Sequence, residues 1–317
     1  MAFLSKLRFV TPPDFEINVA SDDVEGPKSI GYSVRSSDRS LITEVSGLDP
    51  GIDFIPPILL NKDFHAPSLF QPENLLREAR RQKHLLDLAV PRVCVLDPDG
   101  DIVRHLAASG EGTRHLGWAC YHTEMWVTER RDLELGVVGL AVGAPFAVLI
   151  AEQLFASGAE LIISVTSAGQ IKPVTVPPYF VLINKALRDE GTSLHYQPPA
   201  TWSWLPVDLE RPLVLALQGL PETVLIGASW TTDAPYRETE FAINAAINDD
   251  VICVEMEAAA LYAYAAAQSR QVVCLAHITN TMALTEYDFE KGDANGAHSA
   301  LALVEAIANA LTMPTQT

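Results

Sequence analysis

From residue 93 to the C-terminus, short apolar runs alternate with segments whose apolar residues recur every three or four positions. The runs at 93–96, 136–142, 161–166, 179–184, 223–229, 251–254 and 272–279 predict strands. The segments at 145–157, 236–248, 257–270 and 295–311 predict helices. Pro145 suits a first helical turn, and Gly158 stands where a terminating glycine belongs. The strands read apolar on both faces, so a largely parallel sheet covered by helices is expected. Upstream, residues 72–88 have helical spacing, with Leu75, Leu76, Ala79, Leu85 and Leu86 set among Arg77, Arg80, Arg81 and Lys83. Residues 1–70 differ: turn-rich stretches at 20–27 and 36–40, with Pro50, Pro56 and Pro57, predict an arm preceding a domain at 71–317.

Composition narrows the classes. Of 317 residues, 48% are hydrophobic and 20% charged, which permits a large core and excludes global disorder. Twenty-two Lys and Arg against 40 Asp and Glu give a net charge of −18. Such a field repels phosphodiesters and anionic lipid heads, so neither nucleic acid nor a membrane surface is expected as partner. The four cysteines form no CxxC pair, and three lie inside apolar runs, which predicts reduced, buried thiols in a cytoplasmic protein. The longest apolar candidate for a membrane span, 137–151, is interrupted by Gly139, Gly143 and Pro145.

GxxxxGK[ST], HExxH, GxSxG and GxGxxG between strand and helix are all absent. The eight histidines include no helical i, i+4 pair, so no metal is expected. Asp97-Pro98-Asp99-Gly100-Asp101 resembles the opening of a calcium loop, but its downstream positions fail and it reads as a strand-ending turn.

Four segments stand at predicted strand ends, where open α/β sheets bind ligands. Gly143-Ala-Pro145 opens a helix whose N-terminus favours an anion, although tight packing accounts for the glycine equally well. Thr166-Ser167-Ala168-Gly169 is a hydroxyl-rich exit with exposed N–H groups. Glu255-Met256-Glu257-Ala-Ala-Ala joins a buried strand to an Ala-rich helix. Glu257 there either complements the helix dipole, at about 0.3–1 kcal/mol, or accepts hydrogen bonds from a vicinal diol. Residues 229–239, with Asp233, Tyr236, Arg237 and Thr239, suggest a lid or base pocket.

In this order and spacing the segments resemble the nucleoside phosphorylase family, which includes uridine phosphorylase, hexameric purine nucleoside phosphorylase and the methylthioadenosine nucleosidases. The Glu255–Ala260 stretch is the most specific match. Gly143-x-Pro145…Glu152-x-Leu154, residues 166–169 and the run from Arg188 through Gly191 and Ser193 to His195 support it. The resemblance covers residues 93–311 and leaves the first 70 uncovered.

The resemblance implies a three-layer α/β/α sandwich around a twisted mixed sheet, cleaving a nucleoside's N-glycosidic bond through an oxocarbenium-like state. It implies a catalytic set of Glu257, Asn280 and Asp233, with ribose contacts from Glu257, Met256, Glu255 and His122. Tyr236, Arg237, Thr239, His277 and Thr279 fall at the base. Asn280 sides with uridine phosphorylase, whereas purine enzymes and nucleosidases carry aspartate there. Gly143, Ser167, Gly169, Asp97 and Asp99 fall at the phosphate or water site. No cofactor is implied beyond inorganic phosphate as co-substrate, and the partner is a small-molecule nucleoside. A homo-oligomer, a dimer or an assembly of dimers, is implied, with His122 lent to the neighbour.

The phosphate site departs from the family. Members carry Gly-Asp-Pro-x-Arg where this chain has Leu96-Asp97-Pro98-Asp99-Gly100. Ser164 replaces a second arginine, and residues 119–122 lack a third. Arg104, Arg114 and Arg188 are the candidates to compensate. Phosphorolysis is the family default, hydrolysis competes with it, and a non-catalytic nucleoside-binding module is the third possibility.

Overall fold

The computed structural model describes residues 55–282, 286 and 288–312. Residues 1–54 of the expected arm lie outside the described residues. A compact unit spans Pro57–Thr317. It opens with a 3-10 turn at Pro57–Leu59, and Lys62 Nζ lies 2.7 Å from His195 Nδ1, so the end of the arm segment is tied to the domain.

In chain order the elements are α1 (Pro72–Lys83), β1 (Val93–Asp97), α2 (Asp101–Ser109), β2 (Thr113–Arg114), β3 (Met125–Arg130), β4 (Leu133–Gly139) and α3 (Ala144–Ala156). They continue with β5 (Leu161–Gln170), β6 (Tyr179–Asp189), β7 (Trp202–Trp204), α4 (Val207–Leu217), β8 (Val224–Thr232) and α5 (Glu240–Asn248). Last come β9 (Val251–Glu255), α6 (Ala258–Gln268), β10 (Gln271–Asn280) and α7 (Ala297–Thr312).

One mixed sheet runs β10-β6-β8-β9-β5-β1-β4-β3-β2, with β7 on β6. Strand β5 pairs in parallel with β1 and β10, and its far end pairs antiparallel with β9. Because β10 also pairs β6, the path β5-β10-β6-β8-β9 closes on itself. The expected twisted sheet is therefore mixed as predicted and, at this end, curled into a small ring. Helices α1, α3 and α6 pack together, as do α2, α4 and α7, so the sheet lies between two helical layers. The core is built from the predicted runs: Val93–Leu96, Ile162, Ile163 and Val272–Ala276 are almost wholly buried. All four cysteines are free and buried. No helix among the described residues is long and apolar enough to cross a membrane.

Several boundaries differ from the sequence reading. Strand β5 runs to Gln170, so Ser167 and Gly169 lie inside a strand rather than beyond it. The helix expected at 236–248 divides into a 3-10 turn at Pro235–Arg237 and α5. Thr239 separates them because its hydroxyl caps α5, accepting from Ala242 N–H. The supposed lid begins as strand, with Ser229–Thr232 buried in β8.

Candidate active site

The junction of β9 and α6 holds two carboxylates with different jobs. Glu255 ends β9 at 3% exposure. Its Oε1 accepts from the hydroxyls of Ser229 (3.0 Å) and Thr231 (2.5 Å), and its Oε2 from the N–H groups of Glu257 and Ala258, both at 2.7 Å. A carboxylate has about four acceptor positions, and here the fold fills them. Glu255, expected at the ribose, is thus the device that caps α6 and fixes the turn carrying its neighbour.

Glu257 is the N-cap residue of α6, 2% exposed and turned the other way. Its Oε1 accepts from Gly143 N–H at 2.7 Å, and its Oε2 from Met256 N–H at 3.4 Å. Gly143 precedes α3 at φ 88°, a conformation that favours glycine, and this aims its N–H at the carboxylate rather than at a free anion. Burial, then the charge of Glu255, push the Glu257 carboxyl up to about 8 against the pull of Gly143 and Thr166; Asp99 adds to the rise. Met256 is half-buried alongside.

Gly169 pairs with Asn280 across β5 and β10. Asn280 is held on both sides: its amide donates to Thr279 Oγ1 (3.1 Å), and its Oδ1 accepts from Met282 N–H (2.9 Å). A methyl on Gly169 would come within 3.3 Å of that Oδ1 and 3.1 Å of Met282 Sδ, so this strand position needs glycine for close approach.

The first loop lies on the other side of Thr166. Asp97 is buried, and its Oδ2 accepts from Val103 N–H (2.9 Å), capping α2. Burial is the main reason its carboxyl is pushed up to about 7, with Asp99 and Asp101 adding to it. Asp99 reaches across to β5, where its Oδ2 accepts from Ser167 N–H at 2.6 Å. Lys291 Nζ sits 2.5 Å from Asp101 Oδ2 and 4.0 Å from Asp99 Oδ1. His277, expected at the base, belongs to this group instead: it pairs with Ser167 in register and stacks on Phe180 at 4.4 Å. Burial, helped by Lys291, pulls its ring down to about 4, so it is neutral at physiological pH. The space between these groups is about 20 Å³, room for a single water.

The remaining candidates lie elsewhere in the chain. Asp233 accepts from Gly191 N–H (2.8 Å) and lines a cleft of about 510 Å³ with Pro145, Glu152 and Tyr196. Tyr236 is 98% exposed and Arg237 is exposed beside it. His122 is exposed and meets Phe146 edge-on at 6.2 Å, whereas Trp118 in the same aromatic segment is buried, donating to Thr123. Of the possible compensating cations, Arg104 pairs with Asp101, Arg114 with Glu124, and Arg188 with Ser193 and the Pro198 carbonyl. Sequence reasoning missed Lys291 and the roles of the Ser229 and Thr231 hydroxyls. Only the last pair left a signal, two hydroxyls at strand spacing.

A mixed sheet between helical layers, with a buried carboxylate at one strand's carboxyl end facing a glycine-bearing strand, is the architecture of a nucleoside phosphorylase subunit. The sequence profile of the phosphorylase superfamily matches residues 94–310, and the chain belongs to that superfamily. Guanosine phosphorylase of Halorubrum lacusprofundi is 25% identical over 132 residues, 42% of this chain and 55% of that protein. The chain thus spans about half the length of this curated relative. Uridine phosphorylase of Vibrio fischeri ES114, solved with 6-hydroxy-1-naphthoic acid, superposes at a TM-score of 0.58 and 18% identity over 71% of this chain and 91% of that one. A second structure of that enzyme gives 0.57 and 19%, covering 71% and 92%. At such identity the likeness is one of fold.

Proposed function

We propose that the protein cleaves the N-glycosidic bond of a nucleoside, with Glu257 taking the ribose hydroxyls and water acting as acceptor. The observation that carries the reading is the Glu257 cradle, a buried carboxyl oriented by Gly143 N–H at 2.7 Å. A vicinal diol donates to such a group, and the bonds strengthen as C1′ gains positive charge. Asn280 has no dissociable proton near neutral pH, so it offers the departing base hydrogen bonds rather than a proton. Hydrolysis then balances simply. Water oxygen bonds to C1′, and the C1′–N bond breaks with its electron pair going to the base. One water proton leaves to a first-loop carboxylate or solvent, and the base nitrogen is protonated.

Water is favoured over phosphate by the first loop, which offers carboxylates where the family carries glycine and arginine, and by a space of about 20 Å³. The same reading includes a cytoplasmic homo-oligomer, a dimer or an assembly of dimers, with exposed His122 serving a neighbour's site; four free cysteines fit a reducing compartment. The test is a screen of purine and pyrimidine nucleosides for free base, with and without phosphate, products being identified by NMR. Free pentose supports the reading. Pentose 1-phosphate formed in proportion to added phosphate overturns water as acceptor. Release of no base from any nucleoside overturns cleavage altogether.

A further inference from the structure

We infer that Asp99 selects the acceptor: its carboxylate is a built-in ligand of the acceptor seat, filling the Ser167 N–H that an incoming phosphate would need. The inference deepens the hydrolytic reading above and rests on it.

The contact is a charge-assisted hydrogen bond of 2.6 Å between an N–H of β5 and a carboxylate 68 residues earlier. Asp99 is delivered by a fixed loop rather than by a free side chain. Asp97 closes that loop three ways: its carboxylate takes Val103 N–H, and its carbonyl takes the N–H groups of Gly100 (2.9 Å) and Leu140 (3.0 Å). Gly100 makes the turn at φ 75°. Arg104 braces the same loop, donating to the Asp99 carbonyl (2.6 Å) and to Asp101 Oδ1 (2.8 Å).

The cations near the seat are consequently neutralised from within. Lys291 lies on Asp101 with Asp99 as its second carboxylate, and Arg104 is paired with Asp101. His277 is held neutral, because burial and Lys291 pull its ring down to about 4. A dianion would have to displace Asp99 from Ser167 and also pull Lys291 from Asp101. A neutral water needs neither, and the space beside Asp99 is about the size of one. His277 and Thr166 line the same space as Asp99.

Removing the carboxylate should uncover the Ser167 N–H, a donor of the type that binds phosphate, and leave Lys291 facing Asp101 alone. The experiment compares wild type with Asp99→Ala, Asp99→Ser and Asp99→Asn, using inorganic phosphate as probe. Thermal melts are followed against rising phosphate, with chloride at matched ionic strength. Asp99→Ala and Asp99→Ser should bind phosphate at least about tenfold more tightly than wild type, the worth of roughly one regained charged contact. Asp99→Asn still offers an acceptor to Ser167 N–H and should stay near wild type.

Phosphate binding by wild type as tight as by Asp99→Ala overturns the inference, as does failure of both the alanine and serine variants to gain it. A gain in Asp99→Asn equal to that in Asp99→Ala would mean that charge alone governs, and overturns the occupied seat. A purely structural Asp99 would lower the melting temperature with no phosphate dependence. With any nucleoside that wild type hydrolyses, Asp99→Ala should yield pentose 1-phosphate in added phosphate. If no variant cleaves any nucleoside, the proposed function fails, while the phosphate melts still decide the role of Asp99.

Discussion

Replacing Glu257 with glutamine should make the protein more stable and less active at the same time. The amide can keep its oxygen toward Gly143 N–H, so the turn into α3 stays tied; what is lost is the charge. Burial and the neighbouring Glu255 move this carboxyl from 4.5 to about 8 on folding. A group raised in the folded state contributes stability that is complete below its unfolded value and lost as pH rises through its folded one. Here the loss runs from pH 4.5 to about pH 8. At about 1.4 kcal/mol per pH unit, the native state has forfeited about 3 kcal/mol by pH 7. Glutamine does not titrate, so the variant should melt several degrees above wild type at pH 8 and converge with it below pH 5. One offset is that the amide NH₂ faces Met256 N–H, now 3.4 Å from Oε2. Activity should move oppositely at about pH 8 and above, where Glu257 is ionised: a charged hydrogen bond that strengthens in the transition state is worth about 2–4 kcal/mol, so kcat/KM falls about 100-fold there. Circular-dichroism melts at the two pH values and a base-release assay measure both halves. Full activity in the variant refutes the sugar role, and an activity loss that merely follows a lower melting temperature refutes the separation of cost from function.

Glu255→Gln should lower kcat/KM by less than about tenfold, because a flipped amide still accepts from the N–H groups of Glu257 and Ala258. Glu255→Ala leaves buried donors unpaired and should cost about 3 kcal/mol or more in denaturant unfolding. Gly296→Ala would set a methyl 2.2 Å from His277 Cε1 at φ +80° and should destabilise by about 2–4 kcal/mol in the same measurement. Wild type should melt lower at pH 8.5 than at pH 6, because Asp97 and Glu257, raised to about 7 and about 8, lose their stabilising protons across that range. His277, lowered to about 4, acts oppositely but only as pH falls below 6.5. A flat or rising profile from pH 6 to 8.5 would mean that neither carboxyl is raised.

The strand frame was legible because each buried strand is a short apolar run, and Glu257 was legible because a charge in such a run demands a reason. What escaped was carried by long-range partners. Helix α2 hides behind Asp97-Pro98-Asp99-Gly100-Asp101, which reads as a turn until Asp97 is seen to cap it. Helix α4 contains Pro212, which argues locally against a helix; its burial of Leu209, Leu213 and Leu217 overrides that preference. Strand β3 has no clean alternation: Met125 and Thr128 are buried, Trp126, Val127 and Arg130 half-buried and Glu129 exposed, at a sheet flank. Lys291 had no local signal, since its partner Asp101 is 190 residues away. In the aromatic segment at 118–126, Trp118 is in the core, and Tyr121 and His122 are exposed.

The same charges that exclude a dianion suit the proposed reaction. Cleavage of an N-glycosidic bond builds positive charge on the sugar, and in the proposed reaction Glu257 and Asp99 would face that charge. The fold pays for gathering them, as the raised pKa values of Glu257 and Asp97 record. Protonation relieves that cost in the resting site, and in the proposed reaction a cation-like sugar would relieve it for the ionised site, the differential binding that lowers a barrier. Arginines in the first loop would bind phosphate but oppose the same cation, so a phosphorolytic site must neutralise them with the phosphate itself. With Asp99 on Ser167 N–H, this chain needs no such counter-ion. On the proposed reading, the absence of arginine from the first loop and the presence of Glu257 are two sides of one arrangement, a pocket of carboxylates that would match a cationic transition state and a neutral acceptor.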